Sequence, residues 1–143
     1  MSSAILVCTH GHTSEQMIKT AEMIVGSQEN IGFVNFVPGE NTEDLTKKYV
    51  KAISELDSSE GVLVMVDLFG GSPFNAIATL AYGDKNIEVI TGINIPMLLD
   101  AFILRESLDL KGLLESARTS GINGITTLER NFTVVEVEME DEL

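Results

Sequence analysis

The stretch Ala4-Ile5-Leu6-Val7-Cys8-Thr9-His10-Gly11-His12 decides the fold. Its run from Ile5 to Cys8 is apolar without polar alternation, the pattern of a strand buried on both faces. It stops at Thr9-His10-Gly11-His12, which sets a histidine where strand passes into loop, and both histidines of the chain lie in this one turn. Beyond it, Thr13-Ser14-Glu15-Gln16 has the spacing of a capping box, with Thr13 as N-cap and Gln16 three residues on. The opening therefore reads as strand, histidine-bearing loop, helix. Ligands of open parallel sheets bind outside the carboxyl ends of the strands, so His10 is the candidate reactive group.

Working outward, the first helix runs from about Ser14 to Val25 on a stripe of Met17, Ile18, Ala21, Ile24 and Val25, with Gly26 as a stop. Ile31 to Val37 reads as a second strand, ended by Pro38-Gly39. Asn41 caps a second helix whose stripe begins Leu45, Tyr49. Val62 to Val66 is another unbroken apolar strand; it ends on Asp67 and leads through Leu68-Phe69-Gly70-Gly71 to Ser72-Pro73, read as N-cap and first helical residue. Asn86 to Thr91 is a fourth strand, followed by a helix of about Met97 to Arg105. A last helix is capped by Asp109, and a closing short strand is expected around Gly124 to Leu128. This alternation predicts one α/β domain with a mostly parallel sheet, and right-handed crossovers favour the strand order 2-1-3-4.

Bulk properties narrow the class. A chain of 143 residues with 44% hydrophobic content suits a single domain with a substantial core. A net charge of −13 disfavours nucleic-acid backbones and suits a basic or mixed-charge protein partner. The single cysteine, Cys8, lies inside the first strand, where inert packing is its simplest role and a reducing cytoplasm the simplest setting. No signal-peptide pattern and no run of about 20 apolar residues is seen, so a soluble cytoplasmic domain is expected. The end of the chain differs from the body. Val135, Val137 and Met139 alternate with Glu136, Glu138 and Glu140, the pattern of an edge strand or of a solvated acidic end.

The order 2-1-3-4 puts strands 1 and 3 side by side with their following helices on opposite faces, so a crevice opens between their ends. Neighbouring strands about 4.8 Å apart bring His10 and Asp67 within side-chain reach. A carboxylate accepting from one imidazole nitrogen fixes the tautomer and leaves the other nitrogen as a nucleophile. Gly70 and Gly71 let backbone approach a ligand closely, and Ser72 with the helix N-terminus beyond it offers donors to an anion. Nucleophile, orienting carboxylate and phosphate cradle together point to a phosphohistidine, with no metal and no organic cofactor required.

Three blocks carry a family resemblance: Thr9-His10-Gly11, the run from Val66 to Ala76, and Gly92 to Leu98. They resemble the signature blocks of the IIA component of mannose-family (mannose/fructose/sorbose type) sugar phosphotransferase systems, and Phe36 to Asn41 is similar as well. The resemblance covers residues 1–130, expected to form the IIA domain, with 131–143 an acidic tail. It implies that a histidine at the place of His10 takes a phosphoryl group on Nε2 from phospho-HPr and passes it to the IIB component. Uptake then runs through the membrane IIC and IID components. It also implies that Asp67 bonds the other ring nitrogen, and that Ser72 and adjacent amides hold the phosphate. A homodimer is implied too, with an antiparallel edge strand exchanged between subunits, placed near Ile122 to Leu128 or in the 132–140 tail. No IIB-like stretch follows in this sequence, so the IIB partner is expected on a separate chain or removed from this one. His12 lies outside the pattern and is expected to be a neighbour or surface group.

Other readings of the same residues are a phosphoryl-relay subunit of a dihydroxyacetone kinase system, disfavoured by the Gly92 to Leu98 block, and a non-enzymatic receiver-like signalling module. Receivers hold magnesium with a carboxylate cluster after strand 1, where this chain has Thr-His-Gly-His. A flavin site would find few aromatics to stack on, with no tryptophan and only Tyr49 and Tyr82 as tyrosines. A metal held by His10, His12 and Asp67 would rest on a His-x-His spacing too common to be diagnostic.

Overall fold

The computed structural model describes residues 2–130. Nine elements follow one another: β1 (Ala4–His10), α1 (Thr13–Val25), β2 (Ile31–Phe36), α2 (Thr42–Ser54), β3 (Val62–Val66), α3 (Gly71–Tyr82), β4 (Ile87–Ile90), α4 (Ile95–Leu104) and α5 (Leu110–Asn123). The four strands form one parallel sheet of order β2-β1-β3-β4, as the alternation predicts.

The apolar runs have a direct structural cause. Successive side chains of a strand point to opposite faces, and both faces of this sheet are covered. Ile5 and Val7 of β1 join Leu63, Met65 and Ile90 in a core against α1, α4 and α5. Ala4, Leu6 and Cys8 join Val62, Val64, Val66, Leu45, Tyr49, Ala76 and Ile77 in a second core against α2 and α3. The central strand is fully enclosed from Ala4 to Cys8; trimming one of its large side chains to alanine costs about 2–5 kcal/mol. Because α1 and α3 lie on opposite faces, the crevice does open between the carboxyl ends of β1 and β3.

Local departures are informative. Thr13 is not the cap of α1: it is the first helical residue, His12 occupies the N-cap position without a side-chain bond to the helix backbone, and Ser14 N donates to Thr9 Oγ1 at 2.9 Å. Gly11, at φ +64, turns the chain back so that Thr9 serves a helix four residues ahead. Ser72 is likewise not the cap of α3, which starts at Gly71 after an N-cap Gly70. Asn41 caps α2 in a full capping box with Asp44, and Asp109 caps α5 through Gly112 N. Ile24 of the α1 stripe turns outward, 44% exposed.

Neither the closing strand expected around Gly124 to Leu128 nor the edge strand placed near Ile122 to Leu128 pairs with any described strand of this chain. Ile122 and Asn123 complete α5, and residues 125–129 follow without pairing to any described strand, their Ile125 and Leu128 exposed. The alternative placement at 132–140 lies outside the described residues. No described helix is long and apolar enough to cross a membrane.

Candidate active site

His10 is the last residue of β1 and Asp67 the first residue past β3. The register that pairs Cys8 with Val66 brings them together. Asp67 Oδ2 accepts two hydrogen bonds from the one residue, from the His10 backbone N–H at 3.0 Å and from Nδ1 of its ring at 2.9 Å. Asp67 Oδ1 accepts from Leu68 N at 3.1 Å. Partial burial pushes the Asp67 carboxyl up, but the hydrogen bonds from His10, backbone and ring, outweigh it and hold the group below its ordinary range. An ionised carboxylate only accepts, so Nδ1 carries the ring hydrogen and Nε2 keeps its lone pair.

Nε2 faces the turn into α3. A methyl group built on Gly71 would lie 3.6 Å from His10 Cε1 and 3.8 Å from Nε2, so glycine backbone lines this edge of the ring. Gly70 and Gly71 both sit at φ +78, where L side chains are strained. The N-terminus of α3 has no side-chain cap, which leaves its first N–H groups available to an anion. Ser72, half-buried, stands in this first turn. The imidazole also packs against Phe36, ring centroids 5.7 Å apart and nearly perpendicular. That contact follows from the β1–β2 register, which pairs His10 with Phe36. Gly92 N donates to Asp67 O and Ile93 N to Val66 O, fastening the Gly92 to Leu98 block against the same turn. On the rim, Leu68 and Phe69 are exposed, Phe69 at 82%.

His10, Asp67, Gly70, Gly71 and Ser72 are thus brought to one edge of the sheet. His12 is turned to the other side of β1, its Nδ1 3.1 Å from Asn35 Nδ2. Thr9 and Asn35 are the residues that sequence reasoning missed; Thr9 stood in the quoted turn, whereas Asn35 gave no local signal. Cys8 lies beneath the site, buried, its thiol pushed up to about 12 chiefly by that burial. Among the described residues no group of three or more His, Cys, Asp or Glu is placed to hold a metal ion.

A family model described as the PTS system fructose IIA component matches residues 4–118. The chain belongs to this mannose-type IIA family. This IIA component is 49% identical over 106 residues to the PTS system mannose-specific EIIAB component of Escherichia coli (strain K12), a match covering 74% of this chain and 33% of that one. It therefore spans about a third of the length of that two-part relative. It is 32% identical over 144 residues to the PTS system fructose-specific EIIA component of Bacillus subtilis (strain 168), covering 98% and 99% of the two chains. Among solved structures it is similar to the phosphotransferase system component EIIA from Streptococcus agalactiae, with a TM-score of 0.79, 28% identity and coverage of 87% and 95%.

Proposed function

We propose that the chain is a phosphoryl relay in which His10 Nε2 accepts a phosphoryl group from phospho-HPr and passes it to the IIB component. Sugar uptake and phosphorylation then proceed through the membrane IIC and IID components. The observation that carries this reading is the 2.9 Å bond from His10 Nδ1 to Asp67, which leaves Nε2 as a nucleophile beside Gly71.

In the first step the Nε2 lone pair attacks phosphorus, and the bond from phosphorus to its donor atom breaks with the electron pair staying on the donor. The ring becomes a phosphoimidazolium that keeps its Nδ1 hydrogen. Its positive charge faces Asp67, so no proton has to move. In the second step the IIB nucleophile attacks phosphorus and the Nε2–P electron pair returns to the ring. Such transfers depend mainly on positioning and on charge stabilisation. Gly70, Gly71, Ser72 and the free N–H groups of α3 are proposed to hold the phosphoryl oxygens in both steps, with residues 1–130 acting as the relay domain and 131–143 as a tail. Incubation with phosphoenolpyruvate, enzyme I and HPr, followed by mass spectrometry, tests the reading. Acid-labile phosphate on His10 supports it, and phosphate elsewhere or none at all overturns it.

We also propose a cytoplasmic homodimer with an exchanged edge strand. What supports it is the outer edge of β4, unpaired among the described residues, beside a groove of about 480 Å³ whose lining includes Phe74, Val89, Ile90, Ile122 and Ile125. A monomeric mass in solution would exclude it.

A further inference from the structure

His12 carries the second imidazole of the chain, exposed and only two residues past the nucleophile. Its setting is the inverse of that of His10. Asn35 on β2 presents its side chain to His12, and the orientation of the amide is fixed from behind by Ser14. Ser14 Oγ lies 2.6 Å from Asn35 Oδ1 and 3.3 Å from Val34 O. A separation of 2.6 Å suits O–H···O and is too short for N–H···O. The buried Ser14 hydroxyl therefore donates to Oδ1, and the NH2 end of the amide faces His12 Nδ1 at 3.1 Å. An amide nitrogen only donates, so Nδ1 of His12 accepts and the ring hydrogen sits on Nε2. Neither nitrogen of His12 then offers a free lone pair: one is taken up by Asn35 and the other is protonated.

We infer that Asn35 is a specificity-determining residue, holding His12 in the unreactive tautomer so that phosphoryl groups reach His10 alone. The inference rests on the relay reading for its purpose, though not for its chemistry. Asn and Asp have nearly the same shape. Changing Asn35 to Asp would leave one oxygen for Ser14 and turn an acceptor-only oxygen toward His12. Nδ1 would then take the hydrogen and Nε2 would present its lone pair, rebuilding on the β2 side the arrangement that His10 and Asp67 make on the β3 side. Asn35 acts here through His12, as a positioning residue.

Two measurements test this. In the unmodified protein, ¹⁵N NMR of the imidazoles above pH 8 should give His10 as the Nδ1–H tautomer and His12 as the Nε2–H tautomer. His12 as Nδ1–H, or averaged as in a free histidine, overturns the inference without any variant. The second measurement uses phosphoramidate, a small donor that needs no docking protein. The Nε2 lone pair attacks phosphorus, the P–N bond breaks, and ammonia leaves with the electron pair. With His10→Ala as background, adding Asn35→Asp should raise phosphorylation of His12 by about tenfold, a modest share of what a positioned charge partner supplies. A further His12→Gln change should remove that label. An unchanged rate, with the tautomer shifted to Nδ1–H as intended, overturns the claim that Asn35 silences His12. Since HPr is absent from this assay, failure of the relay reading and failure of this inference stay distinguishable.

Discussion

Toward β3, the imidazole at the end of β1 meets a carboxylate; toward β2, the imidazole two residues later meets an amide. Sequence proximity does not make the two rings equivalent. What separates them is whether the neighbouring side chain accepts or donates, a difference of one oxygen for one nitrogen on the two flanks of β1. The comparison teaches that the ring hydrogen at this end of the sheet is placed by the side chain facing each imidazole and not by the histidine itself.

The largest effect that could break this contrast comes from the rings. His10→Ala is expected to abolish phosphorylation by HPr while His12→Ala leaves the rate within about twofold, for only the first carries a usable lone pair. Radiolabel incorporation decides between them. Next is Asp67→Asn. The amide oxygen still accepts from Nδ1, so the tautomer survives, but the negative charge facing the phosphoimidazolium is lost. Single-turnover transfer should slow by roughly ten- to a hundredfold, the scale of a lost electrostatic partner, with the circular-dichroism spectrum unchanged. Gly71→Ala should slow transfer by several-fold, because its backbone is at φ +78 and the new methyl would sit beside Nε2. A destabilisation of about 1–2 kcal/mol is expected with it, read from urea unfolding.

The smallest effect sharpens the comparison through pH. Asp67 is held below its ordinary value of 3.8, so its ionised form contributes stability that is complete above that value and is lost as pH falls through the lower folded value. Asn35 does not titrate. Thermal melts from pH 5 down to pH 2.5 should therefore lose less stability in Asp67→Asn than in the unchanged protein, while Asn35→Ala follows the unchanged curve.

Much of this edge was legible in the sequence because strands end where apolar runs end. Cys8 and Val66 close such runs, the parallel order sets them side by side, and His10 and Asp67 must follow. The order itself followed from alternation and handedness. Caps were less legible, since they depend on backbone turns that side-chain pattern does not encode. A positive φ at Gly11 hands the role expected of Thr13 to Thr9, and the pair Gly70-Gly71 starts α3 ahead of Ser72. Asn35 was invisible because its meaning lies in His12 and Ser14, more than twenty residues away. The strand expected near Ile122 to Leu128 is a different case: α5 runs through Asn123, the residues after it pair with no described strand of this chain, and an exchanged strand would form only against a second copy.

One oxygen of Asp67 grips both the main chain and the ring of His10. That double hold makes the imidazole a fixed post and denies it the freedom of a swinging arm. Under the proposed relay, carrier proteins would travel to it in turn, each bringing its own reacting atom to the same spot, and the site would act as a transfer station where only the visitors move.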